Sequence, residues 1–337
     1  MRYILVLVIL FFLSCNQENR LDEVTIRGEA FGTTYNVKYY GEVDAAPAIQ
    51  KSIDSVVAVV NQSMSTYIEE SDISRINKGD TTVVVDTMFK DVFTLSRKVF
   101  QTTSHYFDPT VGTLRNAYGF GDTKPLAIID STRLDSMMQY VGFDKVALKS
   151  DGTITKEYSE IYFDFNAVAK GYGIDRIATY LDSKNQADYL IELGGEIRAK
   201  GKNQISGNPW SVGVESIDSK LNNRTSSILV GLSNVSMASS GNYRKNRVDE
   251  ATGKEYVHTI NPLNGSAEKS DVLSATVIAK DCATADAYAT AFMAMGLERS
   301  KALLSTLEAI DAYLVFAKDE DTKGTYVTTG FEKLIIK

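Results

Sequence analysis

What most constrains this chain is the order in which its two hydrophobic periodicities appear. Val24 to Tyr40 alternates as strand, interrupted at Gly32-Thr33-Thr34. Asp44 to Asn61 then reads as helix, with Ile49, Ile53, Val56, Val57 and Val60 on one face. Thr82 to Val85 is a β-branched strand, and Met88 to Thr102 is an amphipathic helix with Phe89, Val92, Phe93, Val99 and Phe100 inward. Leu134 to Tyr140 is a short helix, short strands run on to Phe165, and a helix covers about Val168 to Leu181. Strands follow at Tyr189 to Leu193, Trp210 to Glu215, Ser227 to Leu232 and Val272 to Ala279. An alanine-rich helix comes next, and a hairpin of Ala312 to Ala317 with Thr325 to Thr329 closes the chain. Strands come in groups with helices between the groups, so the pattern predicts an α+β fold and not a doubly wound sheet. No Pro/Gly/Ser linker divides residues 24–337, which read as a single unit with two lobes.

Composition narrows the function classes. The 337 residues are 44% hydrophobic and 23% charged, an ordinary globular balance. A net charge of −7 argues against a nucleic-acid partner, which would want a basic stripe. At the N-terminus, Arg2 precedes an apolar run from Tyr3 to Leu13, shorter than the ~20 residues of a membrane span. Phe12-Leu13-Ser14-Cys15 resembles a bacterial lipobox. That likeness implies a leader of residues 1–14, lipidation of Cys15, a tether of residues 15–23, and attachment to a lipid bilayer on the extracytoplasmic, periplasmic side. Cys282 is then left without a partner and reads as a buried small hydrophobe. His105 and His258 are the only histidines, so the usual zinc ligand sets are missing. No Gly-x-Ser-x-Gly elbow supports a serine triad around His258.

Several segments carry residues that packing alone does not require. In AKDCATADAYATAFMAMG, Asp286 and Thr290 stand four apart on a helix, which places both on one face. Two hard oxygens so placed suit Mg²⁺, although the same pair also describes an ordinary polar helix face. Met64-Ser65-Thr66-Tyr67 precedes Ser71, a plausible helix N-cap, and Tyr67 could stack on a flat ring or pack its own loop. His105 to Gly112 sets aromatics and an acid beside a proline, a rigid corner. Asp164 to Gly173 runs from a strand through small residues into a helix; the helix N-terminus suits phosphate, and Lys170 adds a charge. A dinucleotide-binding fingerprint fails there, because its third glycine would fall at Arg176. Glu192-Leu193-Gly194-Gly195-Glu196 joins two strands through a glycine pair, and Tyr256 to Gly265 is a strand ending in a turn.

Taken in order, GTTY, MSTY…SDISRIN, FDPTVG, DFNAVAKGYGID, ELGGE, HTINPLNG and ATADAYAT resemble the ApbE family of flavin transferases. The family's fold is α+β with FAD in a cleft between two lobes. The resemblance implies Mg²⁺-dependent transfer of FMN from FAD to a threonine or serine of an acceptor flavoprotein or membrane redox subunit. It implies Mg²⁺ ligands at Asp286, Thr290 and the Ala167 carbonyl, and makes Asp286 the candidate base. It also places Phe31, Tyr67, Tyr106, Phe107, Asp108, Asp164, Lys170, His258 and Ile260 against FAD. Three positions depart from the usual pattern: Asn166-Ala167 for a glycine pair or Ser-Thr, Tyr118 for Trp, and Asn261 for Asp. Two alternatives share the site. Water in place of the hydroxyl would split FAD to FMN and AMP, and a storage lipoprotein would bind FAD without needing the metal.

Overall fold

In the computed structural model, residues 22–126, 128–219, 225–242, 246–248, 253–319 and 322–336 are described, and the first block of alternation folds back on itself. β1 (Asp22–Ala30) and β2 (Thr33–Gly41) pair antiparallel across Phe31 and Gly32, whose φ values are +51° and +75°. Two positive φ values are what a tight hairpin needs to match strand twist. The expected interruption is therefore a reversal. Because β1 starts at Asp22, the last two residues assigned to the tether are already strand. The leader, Cys15 and the rest of the tether lie outside the described residues.

The next stretch is mainly helical: α1 (Ala46–Met64), α2 (Asp72–Asn77), α3 (Thr87–Thr102), α4 (Gly112–Tyr118) and α5 (Ser131–Met138). Ser71 does cap α2, accepting from the Ser74 N–H at 3.2 Å. Thr82 to Val85 is not a strand; only Val84 makes an isolated bridge, to Thr153. Asp86 caps α3 immediately afterwards, accepting from the Phe89 N–H at 2.7 Å, and leaves no length for a ladder. β3 (Val146–Leu148) and β4 (Ile154–Lys156) form a short hairpin before α6 (Ala169–Ser183).

The rest alternates strand groups and helices: β5 (Tyr189–Leu193), β6 (Glu196–Lys200), β7 (Trp210–Glu215), β8 (Ser226–Leu232), β9 (Val235–Gly241), β10 (Asn246–Val248), β11 (Glu255–Val257) and β12 (Val272–Ala279). After these come α7 (Cys282–Met295), α8 (Leu297–Leu304), β13 (Asp311–Ala317), β14 (Lys323–Val327) and α9 (Thr329–Glu332). The last strand stops at Val327 because Thr328 turns to cap α9, accepting from the Phe331 N–H.

Eight strands join in the order β1-β2-β5-β6-β9-β12-β13-β14, every neighbouring pair antiparallel. This is the expected α+β class. Strand alternation sends residues to opposite faces: Ala238 and Val277 meet the helices, whereas Met237 and Ile278 meet the β7–β8 ribbon. α7 is buried almost all round, including Ala285, Ala287, Ala289 and Phe292, as an interior helix must be. Its alanines let α6 and the sheet approach closely. Fully burying a side chain such as Phe292 contributes about 1.5–3 kcal/mol.

Candidate active site

One cleft of about 1050 Å³ collects residues that lie far apart in sequence. All twelve predicted side-chain and backbone positions line it: Phe31, Tyr67, Tyr106, Phe107, Asp108, Asp164, Ala167, Lys170, His258, Ile260, Asp286 and Thr290. Its volume suits a dinucleotide-sized ligand.

At the floor, α7 presents Asp286, only 4% exposed. Asp286 Oδ2 accepts from the Gly171 N–H at 3.2 Å, which ties α7 to the first turn of α6. Gly171 is required there, since a Cβ would lie 2.4 Å from the Cys282 carbonyl oxygen. Two carboxylates satisfy the α7 N-terminus. Asp281 accepts from the Thr284 N–H at 2.8 Å, and Asp175 of α6 accepts from Cys282 and Ala283, both at 2.9 Å. Burial nonetheless pushes the Asp175 carboxyl up to about 6. Further along α7, Thr290 Oγ1 lies 3.4 Å from Ser240 Oγ of β9. Asp286, Thr290 and Ala167 thus line one cleft.

Lys170 lines the cleft, and its ammonium pairs with Glu196 of β6, which is 3% exposed. Burial pushes the Glu196 carboxyl up to about 7, against the opposing pull of Lys170. Glu196 Oε2 and Asn166 Nδ2, both bordering the cleft, are buried without a hydrogen-bond partner. The Asp286 carboxyl is likewise raised by burial, opposed by Lys170 and the Gly171 N–H. Among the described residues, no group of three or more His, Cys, Asp or Glu side chains is placed to hold a metal.

Aromatic groups line the outer cleft. Phe31 projects from the hairpin turn, and its ring fills the space a Cβ on Gly173 would need, 2.5 Å from that position. Tyr67 is 63% exposed and accepts a hydrogen bond at 3.0 Å from Arg115, which also pairs with Asp164. Tyr106 lies under the Arg299 guanidinium at 5.5 Å, while Phe107 is buried in the main apolar cluster. Asp108 builds the corner itself: its carboxylate accepts from the Thr110 N–H and hydroxyl and from the Phe143 N–H. His258 meets the Phe120 ring edge-on at 6.5 Å. Asn261, in place of the usual aspartate, accepts from the Leu263 N–H at 3.0 Å, a turn bond that a neutral amide supplies as well.

Sequence reasoning left Arg115, Asp175 and Glu196 without roles. Arg115 lies outside the quoted motifs. Asp175 ends DFNAVAKGYGID and Glu196 ends ELGGE, where a carboxylate in an otherwise small or apolar string was the available signal.

Comparison with known proteins finds relatives along nearly the whole chain. The model of the ApbE family matches residues 31–314. A curated FAD:protein FMN transferase of Haemophilus influenzae is 33% identical, covering 98% of this chain and 96% of its own. One from Vibrio cholerae is 32% identical across the full length of both chains. A solved structure of the flavin transferase ApbE from Vibrio cholerae superposes with a TM-score of 0.83 at 31% identity, covering 93% of this chain and 99% of that one. The apo form of Pseudomonas stutzeri flavinyl transferase ApbE shares the fold with a TM-score of 0.81 at 24% identity, covering 94% and 97%.

Proposed function

This chain belongs to the ApbE family, and from that premise we propose that it transfers FMN from FAD to a hydroxyl of an acceptor protein. The observation that carries the reading is the convergence of Asp286, Thr290, Ala167 and the aromatic walls on one cleft. The donor set fits Mg²⁺: a buried carboxylate, a hydroxyl and a backbone carbonyl are hard oxygens, and Asp286 is raised by burial as a carboxylate short of positive charge would be. Bound there, Mg²⁺ would offset the charge that develops on the pyrophosphate as its bridging bond breaks.

The chain's own groups do the rest. Phe31, Tyr67 and Tyr106 provide ring surfaces for the flavin. Lys170, held by Glu196, places a fixed positive charge beside Asp286. The acceptor threonine or serine oxygen attacks the FMN-side phosphorus in line. A new P–O bond forms, the bond to the AMP-side oxygen breaks, and AMP leaves. Asp286 takes the hydroxyl proton on Oδ1, its Oδ2 being held by the Gly171 N–H. Positioning and electrostatics supply most of such a rate. Outside the described residues, the lipobox-like Cys15 supports a lipid-anchored protein facing the extracytoplasmic side, where the acceptor would be a flavoprotein or membrane redox subunit.

The test incubates the protein with FAD, Mg²⁺ and an acceptor domain and weighs the acceptor. A gain of one FMN is expected, lost on chelation and in Asp286→Ala. An unlabelled acceptor with AMP still released would favour hydrolysis instead. Mg²⁺ binding has its own readout: saturating Mg²⁺, about 100 times its Kd, should stabilise the wild type by about 2.7 kcal/mol and Asp286→Ala much less.

A further inference from the structure

Arg115 belongs to none of the motifs, yet it is the residue through which α4 lines the cleft. Its Nη2 donates to the Tyr67 hydroxyl at 3.0 Å and its Nη1 pairs with Asp164 Oδ2 at 2.5 Å. The pair is shielded, with side-chain exposures of 19% and 5%. Asp164 is itself fixed twice more. Its Oδ1 accepts from the Asn166 N–H at 2.8 Å, and its N–H donates to the Pro109 carbonyl at 2.8 Å. Tyr67, by contrast, stands 63% exposed on the loop between α1 and α2, and its hydroxyl contact to Arg115 crosses to a different element. A guanidinium suits this task because its planar fork reaches two acceptors at once; an ammonium is a single point.

We propose that Arg115 is a positioning residue that holds the Tyr67 ring over the cleft and locks it to the Asp164–Ala167 corner. The flavin platform and the corner carrying the Ala167 carbonyl are then one rigid piece. Pre-ordering the ring removes an entropic cost that FAD would otherwise bear on binding. This rests on the reading of Tyr67 as a flavin platform.

The experiment measures FAD affinity by flavin fluorescence quenching in the full protein, with KM and kcat measured in parallel. It compares wild type, Tyr67→Ala, Tyr67→Phe, Arg115→Lys, and the Tyr67→Phe/Arg115→Lys double variant. Tyr67→Phe keeps the ring and leaves the buried ion pair alone, so it decides the matter even if Arg115→Lys folds poorly. Expected are a roughly fivefold weaker Kd in each conservative single variant, less quenching at saturation, and a KM that rises more than kcat falls. The double variant should be no weaker than the worse single, since both break one contact. Multiplying effects in the double variant would overturn the proposal. So would an unchanged Kd in Tyr67→Phe and Arg115→Lys while Tyr67→Ala binds poorly, an outcome that leaves the platform reading standing. An unchanged Kd in Tyr67→Ala would remove the platform reading itself, and the inference with it.

Discussion

Replacing Gly171 with alanine should destabilise this protein, although the same change in a free helix does the opposite. In an exposed helix interior, Gly→Ala gains about 1 kcal/mol. Here the new Cβ would lie 2.4 Å from the Cys282 carbonyl oxygen, 2.6 Å from its carbon and 2.8 Å from Ala283 Cα, all of them backbone atoms. No rotamer change relieves such contacts, so α6 and α7 must separate by about 1 Å to restore ordinary packing. Overpacking of this kind costs about 1–3 kcal/mol. The separation also stretches the 3.2 Å bond from Gly171 N–H to Asp286 Oδ2 beyond hydrogen-bonding range. A bond to a charged group contributes about 1.5–3 kcal/mol. Set against the helix gain, the net loss is roughly 2–4 kcal/mol, a fall in Tm of about 3–6 °C for a chain of this length. Thermal unfolding monitored by circular dichroism measures it. FMN transfer at a temperature where the variant stays folded should also fall, because Asp286 loses the N–H that orients it. A Gly171→Ala protein that melts higher than wild type with full transfer would refute the close-packing argument.

Three further outcomes follow from the same geometry. Lys170→Ala leaves Glu196 buried without its cation and should cost about 3 kcal/mol by denaturant titration, at the lower end because Lys170 is partly exposed, while Lys170→Met/Glu196→Leu recovers stability but not FMN transfer. Burial pushes the Asp108 carboxyl up to about 6, above its unfolded value, so the folded state keeps a proton that the unfolded chain loses. Its contribution is therefore present below about pH 4 and lost as pH rises to about 6, by up to ~3 kcal/mol, and stability curves of Asp108→Asn should show a flatter slope in that window. Phe31→Gly relieves a non-glycine residue at φ +51° while removing a ring, so stability should change by less than about 1 kcal/mol while the Kd for FAD rises at least fivefold by fluorescence titration.

Most strands and long helices were legible because one local signal sufficed. Tyr189–Leu193, Trp210–Glu215 and Val272–Ala279 match the sequence reading to the residue. β9 was missed because VSMASSG has only one large side chain, and its place between β6 and β12 is set by neighbours distant in sequence. α4 and α8 were missed for lack of length, at seven and eight residues. In the cleft, the residue types were readable but not their partners. Nothing local shows that Glu196, twenty-six positions on, reaches back to Lys170. Nor does anything local show that Asp108, which lines the cleft, also builds its corner through bonds from Thr110 and Phe143.

The charges at the cleft floor carry the metal argument further than the ligand spacing does. Two carboxylates, Asp286 and Glu196, are buried there, and burial raises both. One ammonium, Lys170, sits between them and is committed to Glu196. The α7 N-terminus cannot supply the missing positive charge to Asp286, because Asp281 and Asp175 already occupy its free N–H groups. The chain alone thus leaves an excess of one negative charge at this point, and the pyrophosphate of FAD would add two more. Ionised carboxylates in such a place require a cation or must take up protons. A divalent ion held by Asp286 and Thr290 would offset most of that negative charge, and Glu196 would keep Lys170 from taking its place. Without Glu196, the ammonium of Lys170 would pair with Asp286 and compete with the metal for the one carboxylate placed to hold it.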